Sequence, residues 1–324
     1  MATNVPKKIS ALPVLAEHDL SPNNTVIVQT ANGTKVMTVH DFAEYVEGMG
    51  DHNVPRDTPK DITQYYKDGT LWKRLAGTDG YAKHEDIFAG DYFQMGRPIS
   101  AHNQNSEYQA TGSQWVTIAG ISTLRGNGDS ISMDYEHLVM VPGQGFGGTQ
   151  HFGRSRMNAT NTTKGGYVGS EMNTTTIGPV ATIGSTADTA TINEQLVAEF
   201  GTHLKTTREL LSNALNETGY NQYGTNSGCT SNWAWTDCQA VLMSEVEVYG
   251  TTVWSSSGYD TGNANEQMPL FAHEKRAMND RSAWYWLKSV ASATNFCYCD
   301  SGGASSYDYA SRADASVRPR FVIA

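Results

Sequence analysis

Arg281-Ser-Ala-Trp-Tyr-Trp-Leu-Lys-Ser-Val and Val317-Arg-Pro-Arg-Phe-Val-Ile bracket the run Tyr298-Cys-Asp-Ser-Gly-Gly-Ala-Ser-Ser-Tyr-Asp-Tyr-Ala-Ser-Arg-Ala-Asp-Ala-Ser. The bracketing pieces are rich in aromatic and β-branched residues, and strands are expected over Ala283 to Leu287 and Ser316 to Ile323. The run between them has no apolar periodicity, so its plain reading is a loop. Its composition argues for more. Tyr supplies large, rigid, amphipathic contact area while Ser, Gly and Asp supply adaptable hydrogen bonds, the chemistry of an antibody-type paratope. The run also lacks Lys, Glu, Gln, Trp and Met, the residues that no pyrimidine-ending codon encodes. An Asn codon randomised at its two adenines reaches every residue present.

Working outward from this tract, strands are expected at Phe88 to Met95, Gln114 to Ile121, Glu136 to Val141 and Ala240 to Tyr249. Short helices are expected at Ile62 to Tyr66 with a continuation at Leu71 to Leu75, and at Leu270 to Met278. Ile192, Leu196, Phe200, Leu204, Leu211 and Leu215 recur at helical spacing and predict one core helix, broken at Gly201. Residues 143 to 191 are rich in Gly, Thr, Ser and Asn and read as long surface loops. Strands and helices are segregated, which predicts an α+β fold with mostly antiparallel pairing.

The chain has 324 residues, enough for two domains or one large domain with an appendage. Its hydrophobic content is 39% and its mean hydropathy −0.46, with no apolar run near the roughly 20 residues of a membrane span, so no membrane insertion is expected. A net charge of −10 leaves no basic field for phosphate backbones, so nucleic acid is not an expected partner. No apolar segment follows Lys7 and Lys8, so no secretory signal is read and synthesis in a cytoplasm is expected.

Thr25-Val-Ile-Val-Gln-Thr and Thr34-Lys-Val-Met-Thr-Val are separated by Ala31-Asn32-Gly33, the signature of a hairpin. Thr38 or Asp41 then caps a short predicted helix, Phe42 to Glu47, ended by Gly48. A unit this small rarely folds alone and is expected to need a partner or copies of itself. The linker from Gly48 to Pro59 sets the expected domain boundary, giving residues 1–50 and 51–324.

Chemistry-bearing motifs are sparse. Gly143-Gln-Gly-Phe-Gly-Gly has GxGxxG spacing, but no apolar-periodic helix follows it, so it is read as a loop. The nine histidines show no HxH or HxxxH pair, and neither a metal nor a cofactor is expected. Cys229 and Cys238 flank Trp233 and Trp235 in a predicted loop. Cys297-Tyr-Cys299 is a CxC without a second ligand set nearby. No GxSxG turn appears, and no catalytic residue is assigned.

With these residues in view, the C-terminal segment resembles the variable region of proteins diversified by diversity-generating retroelements. The resemblance rests on Arg281 to Val290, Thr294-Asn-Phe-Cys, a tract ending at Ala310-Ser311, and Val317-Arg-Pro-Arg-Phe. Ser316 stands where the family has Gly, and the family's Asn-rich positions have become Tyr, Asp, Ser, Gly, Ala and Arg. Gly166-Tyr-Val-Gly-Ser-Glu-Met, Glu245-Val-Glu-Val-Tyr-Gly and Arg276-Ala-Met-Asn are similar to lectin-like domains of phage tail proteins. Lys8-Ile-Ser-Ala-Leu-Pro with the following hairpin resembles the attachment segment of phage tail fibres.

The resemblance implies a C-type-lectin-like fold, a mostly antiparallel sheet with two helices and long loops, behind a tail-attachment unit at residues 1–50. Its variable region would span about 294–319. It further implies a non-enzymatic, homotrimeric receptor-binding protein at a phage tail tip, with other tail proteins and a host cell-surface protein or glycan as partners. The ligand-contacting residues would be Tyr298, Asp300, Ser301, Gly302, Ala304, Ser306, Tyr307, Asp308, Tyr309, Arg312 and Asp314. Trp284, Trp286, Phe296 and Phe321 would be scaffold. The competing reading, a formylglycine-generating oxidoreductase on the same fold, would use Cys297 and Cys299.

Overall fold

The terminal strand-like run occupies the middle of the main sheet. In the computed structural model, the strand Pro319–Ile323 pairs on one edge with Leu138–Pro142 and on the other with both Ala240–Leu242 and Leu204–Lys205. The structure describes residues 51–101, 112–129, 133–182, 191–214, 233–255, 266–279 and 283–324, and the backbone of 25–30 and 33–38. Two compact units are present, Met1–Gly50 and Asp51–Ala324.

In the first unit, β1 (Thr25–Thr30) and β2 (Gly33–Thr38) form the expected antiparallel hairpin, from Thr25 opposite Thr38 to Thr30 opposite Gly33. The helix expected at Phe42 to Glu47 lies outside the described residues, as do Leu215 and Cys229.

The second unit is mixed α+β and mostly antiparallel. Its elements run α1 (Thr63–Lys67), α2 (Thr70–Ala76), β3 (Tyr92–Gln94), β4 (Trp115–Ile121), β5 (Leu138–Pro142), α3 (Ile192–Phe200), β6 (Leu204–Lys205), β7 (Thr207–Ser212), β8 (Trp233–Cys238) and β9 (Ala240–Leu242). They continue through α4 (Glu245–Tyr249), α5 (Pro269–His273), β10 (Tyr285–Val290), β11 (Asn295–Cys299), β12 (Ser305–Tyr309) and β13 (Pro319–Ile323). The main sheet has the order β3-β4-β5-β13-β6, with β9 also on β13. Strands β10-β11-β12 form a second sheet, and β7-β8 a third.

Alternation along the main sheet divides the core in two. Ile118, Met140, Phe321 and Ile323 face Leu71, Leu75, Ile192, Leu196 and Phe200 from the first three helices. Val139, Val141 and Val322 face Val248, Leu270 and Phe271 from the last two. Burying side chains of this size on both faces of β13 is worth roughly 1.5–3 kcal/mol each, which anchors the strand in the sheet. No described helix is long and apolar enough to cross a membrane.

Four sequence expectations are corrected here. The helix expected to continue past Gly201 does not: α3 opens on a Thr191–Glu194 capping box, Gly201 breaks it at φ +55°, and residues 204–212 are strands. The strand expected at Ala240 to Tyr249 stops at Leu242, because Ser244 and Glu247 form a second capping box that starts α4. Trp233 to Cys238 is a strand and not a loop, with Thr207 to Ser212 opposite. Five short α-helices occur among the described residues, where the lectin-like resemblance implied two. Residues 143–182 are chiefly loop as expected, apart from a π-helical turn at Met172–Ile177.

Candidate binding face

The tract between β10 and β13 is a hairpin where a loop was the plain expectation. Its first strand, β11, alternates because Phe296 and Cys297 enter opposite halves of the core, with Cys299 joining Cys297. The turn is closed by Asp300. Its Oδ1 accepts the amides of Gly302 (2.7 Å) and Ala304 (2.9 Å), its own amide donates to the Ala304 carbonyl (2.8 Å), and Gly303 takes φ +92°. Strand β12 returns antiparallel, pairing Ser305 with Cys299 and Tyr309 with Asn295, and forms the edge of its sheet.

Both ends of the tract are fixed to scaffold. The Ala310 amide donates to Thr294 (3.0 Å), and its carbonyl accepts from the amides of Met157 and Asn158 (2.9 Å each). Six residues later Ser316 donates to the Trp284 carbonyl (2.8 Å) and accepts from the Trp286 amide (3.0 Å), which delivers the chain into β13. Trp286, Phe296 and Phe321 are fully buried, and the Trp286 indole donates to the Ser155 carbonyl at 2.9 Å.

The candidate residues divide by strand register. Tyr298 and Ser306 share one side of the hairpin with Trp286, and Tyr298 is half-buried with its ring 4.5 Å from that of Trp284. Arg312 lies 5.7 Å from the Trp284 ring and pairs with Asp314 (2.7 Å) and Asp308 (3.4 Å). The hydrogen bonds from Arg312 hold the Asp314 carboxyl below its ordinary range. Ser301, Gly302 and Ala304 are exposed at the tip, whereas the Asp300 carboxylate is engaged in the turn.

On the opposite side, Ser305, Tyr307 and Tyr309 follow one another at alternate positions. Tyr307 and Tyr309 are 45% and 51% exposed, so about half of each side chain faces solvent. Two residues from outside the tract join this side. The Trp254 indole donates to the Ser305 carbonyl (2.9 Å), and its ring meets Tyr307 at 4.9 Å and 68°. Beneath them the Glu245 carboxylate takes the Ser305 hydroxyl (2.6 Å) and the amides of Val253, Trp254 and Ser255 (2.9–3.1 Å). Burial alone would raise the Glu245 pKa; these donors outweigh it and hold the carboxyl below its ordinary value.

Sequence reasoning missed Glu245, Val253 and Trp254. The last two lie more than forty residues upstream of the tract, and Glu245 was read as part of a strand. The capping-box spacing from Ser244 to Glu247 was the available signal that a helix, and so a turn toward the tract, begins there.

The described thiols, Cys238, Cys297 and Cys299, lie buried in the core; burial raises the Cys299 pKa and pushes Cys238 up to about 12. Among the described residues, no group of three His, Cys, Asp or Glu side chains is arranged to hold a metal ion. Compared with known proteins, the chain matches no family model, no curated sequence and no solved structure.

Proposed function

We propose that the chain is a non-enzymatic receptor-binding protein of a phage tail, built on a C-type-lectin-like domain and diversified at its C-terminal tract by a retroelement. It would be made in the bacterial cytoplasm and carried at the tail tip. The observation that carries this reading is the contrast within one hairpin. Tract side chains line an exposed edge strand, while the residues that fix the tract at Ala310, Ser316 and Trp286 are buried. A surface arranged in this way accepts many side chains without disturbing the fold beneath it, which is the requirement of a diversified site. The recognised partner is a host cell-surface protein or glycan. The oxidoreductase alternative gains no support from Cys297 and Cys299, which are both buried, the Cys299 thiol with its pKa raised by that burial.

A panel of tract variants, assayed in parallel for melting temperature and for adsorption to host cells, tests the proposal. Tyr307→Ala and Tyr309→Ala should each weaken binding by about 1 kcal/mol or more and change stability by no more than about 0.5 kcal/mol. Trp286→Ala should do the reverse, costing about 3–5 kcal/mol of stability. Adsorption indifferent to Tyr307, Tyr309 and Arg312 replaced together would sink the reading. Copies from sibling isolates should differ chiefly at tract positions whose side chains face solvent.

A further inference from the structure

Where β13 ends and β5 and β6 begin, the surface opens into a cavity of about 830 Å³ that no residue of the tract lines. Its size falls within the roughly 300–1,000 Å³ of small-molecule sites. Helix α2 supplies an apolar wall of Trp72 and Leu75, and the segment before β5 supplies Tyr135, which is 40% exposed. The Trp72 ring is stacked on that of His203 at 3.7 Å and 6°, and His203 Nδ1 donates to the Ala324 carbonyl (2.8 Å). This wall is therefore in place before any ligand arrives, which lowers the ordering cost of binding.

Three cations line the cavity, Lys83, Arg125 and Lys205, against the carboxylates of Glu136 and Asp134. That local excess of positive charge stands in a chain of net charge −10. Two of the cations are already committed. Glu136 takes Lys83 (2.6 Å), the Arg125 guanidinium, the Ser122 hydroxyl (2.6 Å) and His84 Nε2 (2.7 Å), and Arg125 also donates to the Asp134 carbonyl (2.7 Å). Lys205 is different. Its ammonium donates to the Thr202 carbonyl (2.9 Å) and lies 5.9 Å from the centre of the Tyr135 ring, and among the described residues no carboxylate pairs with it. A partly buried cation with only neutral partners attracts an anion.

The same contacts favour a carboxylate as that anion. A phosphate is met best by backbone amides at a helix start or by a guanidinium fork, and the one guanidinium here is held by Glu136 and the Asp134 carbonyl. The rest of the ligand has polar groups to satisfy. The Tyr135 hydroxyl reaches only the Met133 thioether, at 3.3 Å, and the Lys83 and Asp134 side chains stand exposed beside it on the cavity lining. A fatty or aromatic acid would leave these groups without partners once water is displaced. A saccharide ring, with hydroxyls at its edge and C–H groups on its faces, engages both them and the aromatic walls.

We propose that this cleft is a second binding site, for a sugar acid: a saccharide ring bearing one carboxylate, which pairs with Lys205 while the ring packs between Trp72 and Tyr135. It does not rest on the receptor-binding reading, and either can fail alone. A free sugar acid and an acidic polysaccharide share this chemistry.

The test uses the intact chain labelled with 5-fluorotryptophan, with the Trp72 fluorine resonance assigned by Trp72→Phe; saturation-transfer spectra of each probe give the affinity without the label. Glucuronate should move the Trp72 resonance saturably, and glucose, benzoate and inorganic phosphate should each bind about tenfold more weakly or not at all. Lys205→Gln should bring glucuronate down to the level of glucose, a loss of about tenfold, with the melting temperature unchanged. Tyr135→Phe should weaken glucuronate and glucose alike, and Tyr307→Ala should leave every titration as it was. A hyaluronate tetrasaccharide that binds as well as glucuronate assigns the source to a polysaccharide, and its exclusion assigns it to the free acid; both uphold the site. Benzoate, phosphate or glucose matching glucuronate would overturn the ligand class. Glucuronate binding indifferent to Lys205→Gln, or no saturable response to any probe, would overturn the site and leave the receptor-binding reading standing.

Discussion

At the residue scale, the least expected feature is a set of four charges inside the protein. Arg320 of β13 donates to Glu247 of α4 and to Glu209 of β7 (2.8 Å), and Lys288 of β10 reaches Glu247 at 3.0 Å; all four side chains are buried or nearly so. Two cations against two carboxylates make a balanced group that joins four elements. Its cost is desolvation, and its loss in part costs more than its presence adds, because any remaining charge is left buried without a partner. Nothing local in the sequence announces it, since the partners of Arg320 lie 73 and 111 residues away. The clue is the period-2 reading of β13. If Val317, Pro319 and Phe321 face one side, Arg318 and Arg320 face the other, and in a central strand that side is also core. The pH consequence follows from Glu247. Burial raises its pKa, but Arg320 and Lys288 outweigh this and bring it from an ordinary 4.5 down to about 2. A carboxylate depressed on folding contributes stability that is complete above its unfolded pKa and lost as pH falls through its folded one. The melting temperature should therefore fall between about pH 5 and pH 2. Glu247→Gln should flatten that dependence while costing about 3–5 kcal/mol at neutral pH. An unchanged acid limb of the stability profile in that variant would remove the tetrad from the account.

At the scale of elements, what was legible and what was not divides along a physical line. The hairpin β1-β2, the short helices α1, α2 and α5, and the strands β4, β5, β10 and β13 follow from local signals: turn residues, β-branched runs and stop residues. The errors came where two periods fit the same residues. Leu204 and Leu211 sit at helical spacing from Phe200, yet in β7 Thr207, Glu209 and Leu211 alternate inward, so the strand buries a carboxylate that helical spacing would have left in solvent. Long-range pairing to β8 decided that case. In the same way Tyr298, Tyr307 and Tyr309 were legible as a group, but only register shows that Tyr298 lies against Trp284 and away from the other two. Helix α3 shows how much rests on a local signal where one is present. Thr191 Oγ1 accepts the Glu194 amide while Glu194 accepts the Thr191 amide (2.8 Å). Thr191→Ala should destabilise the domain by about 1 kcal/mol, and Thr191→Ser should restore most of it. Equal melting curves for the two variants would mean that packing of Leu196 and Phe200, and not the cap, sets where the helix begins.

At the scale of the whole molecule, the reading makes demands on both units. A two-stranded hairpin is at best marginal alone, and the first unit is small, so self-association through it is part of the proposed function. Light scattering at micromolar concentration should show a trimer. A trimer would place three binding faces on one particle and raise avidity for a repeated surface ligand. The second unit depends on its last strand. β13 gives Phe321 and Ile323 to one half of the core and Val322 to the other, and its backbone completes β5, β6 and β9. It also carries Arg320, so removing residues 319–324 strips Glu209 and Glu247 of their shared guanidinium as well as opening the sheet. Each loss alone is worth several kcal/mol, against a total stability of roughly 5–15 kcal/mol for an ordinary domain. The truncated chain should show no cooperative transition by calorimetry and should be recovered mainly as aggregate. Replacing all four charges, Arg320→Met and Lys288→Met with Glu209→Leu and Glu247→Leu, should keep the transition, since no charge is then left buried without a partner and the strand stays in place. If the truncated chain melts cooperatively, the core closes without β13, and the argument that the terminal strand holds the tract in position fails with it.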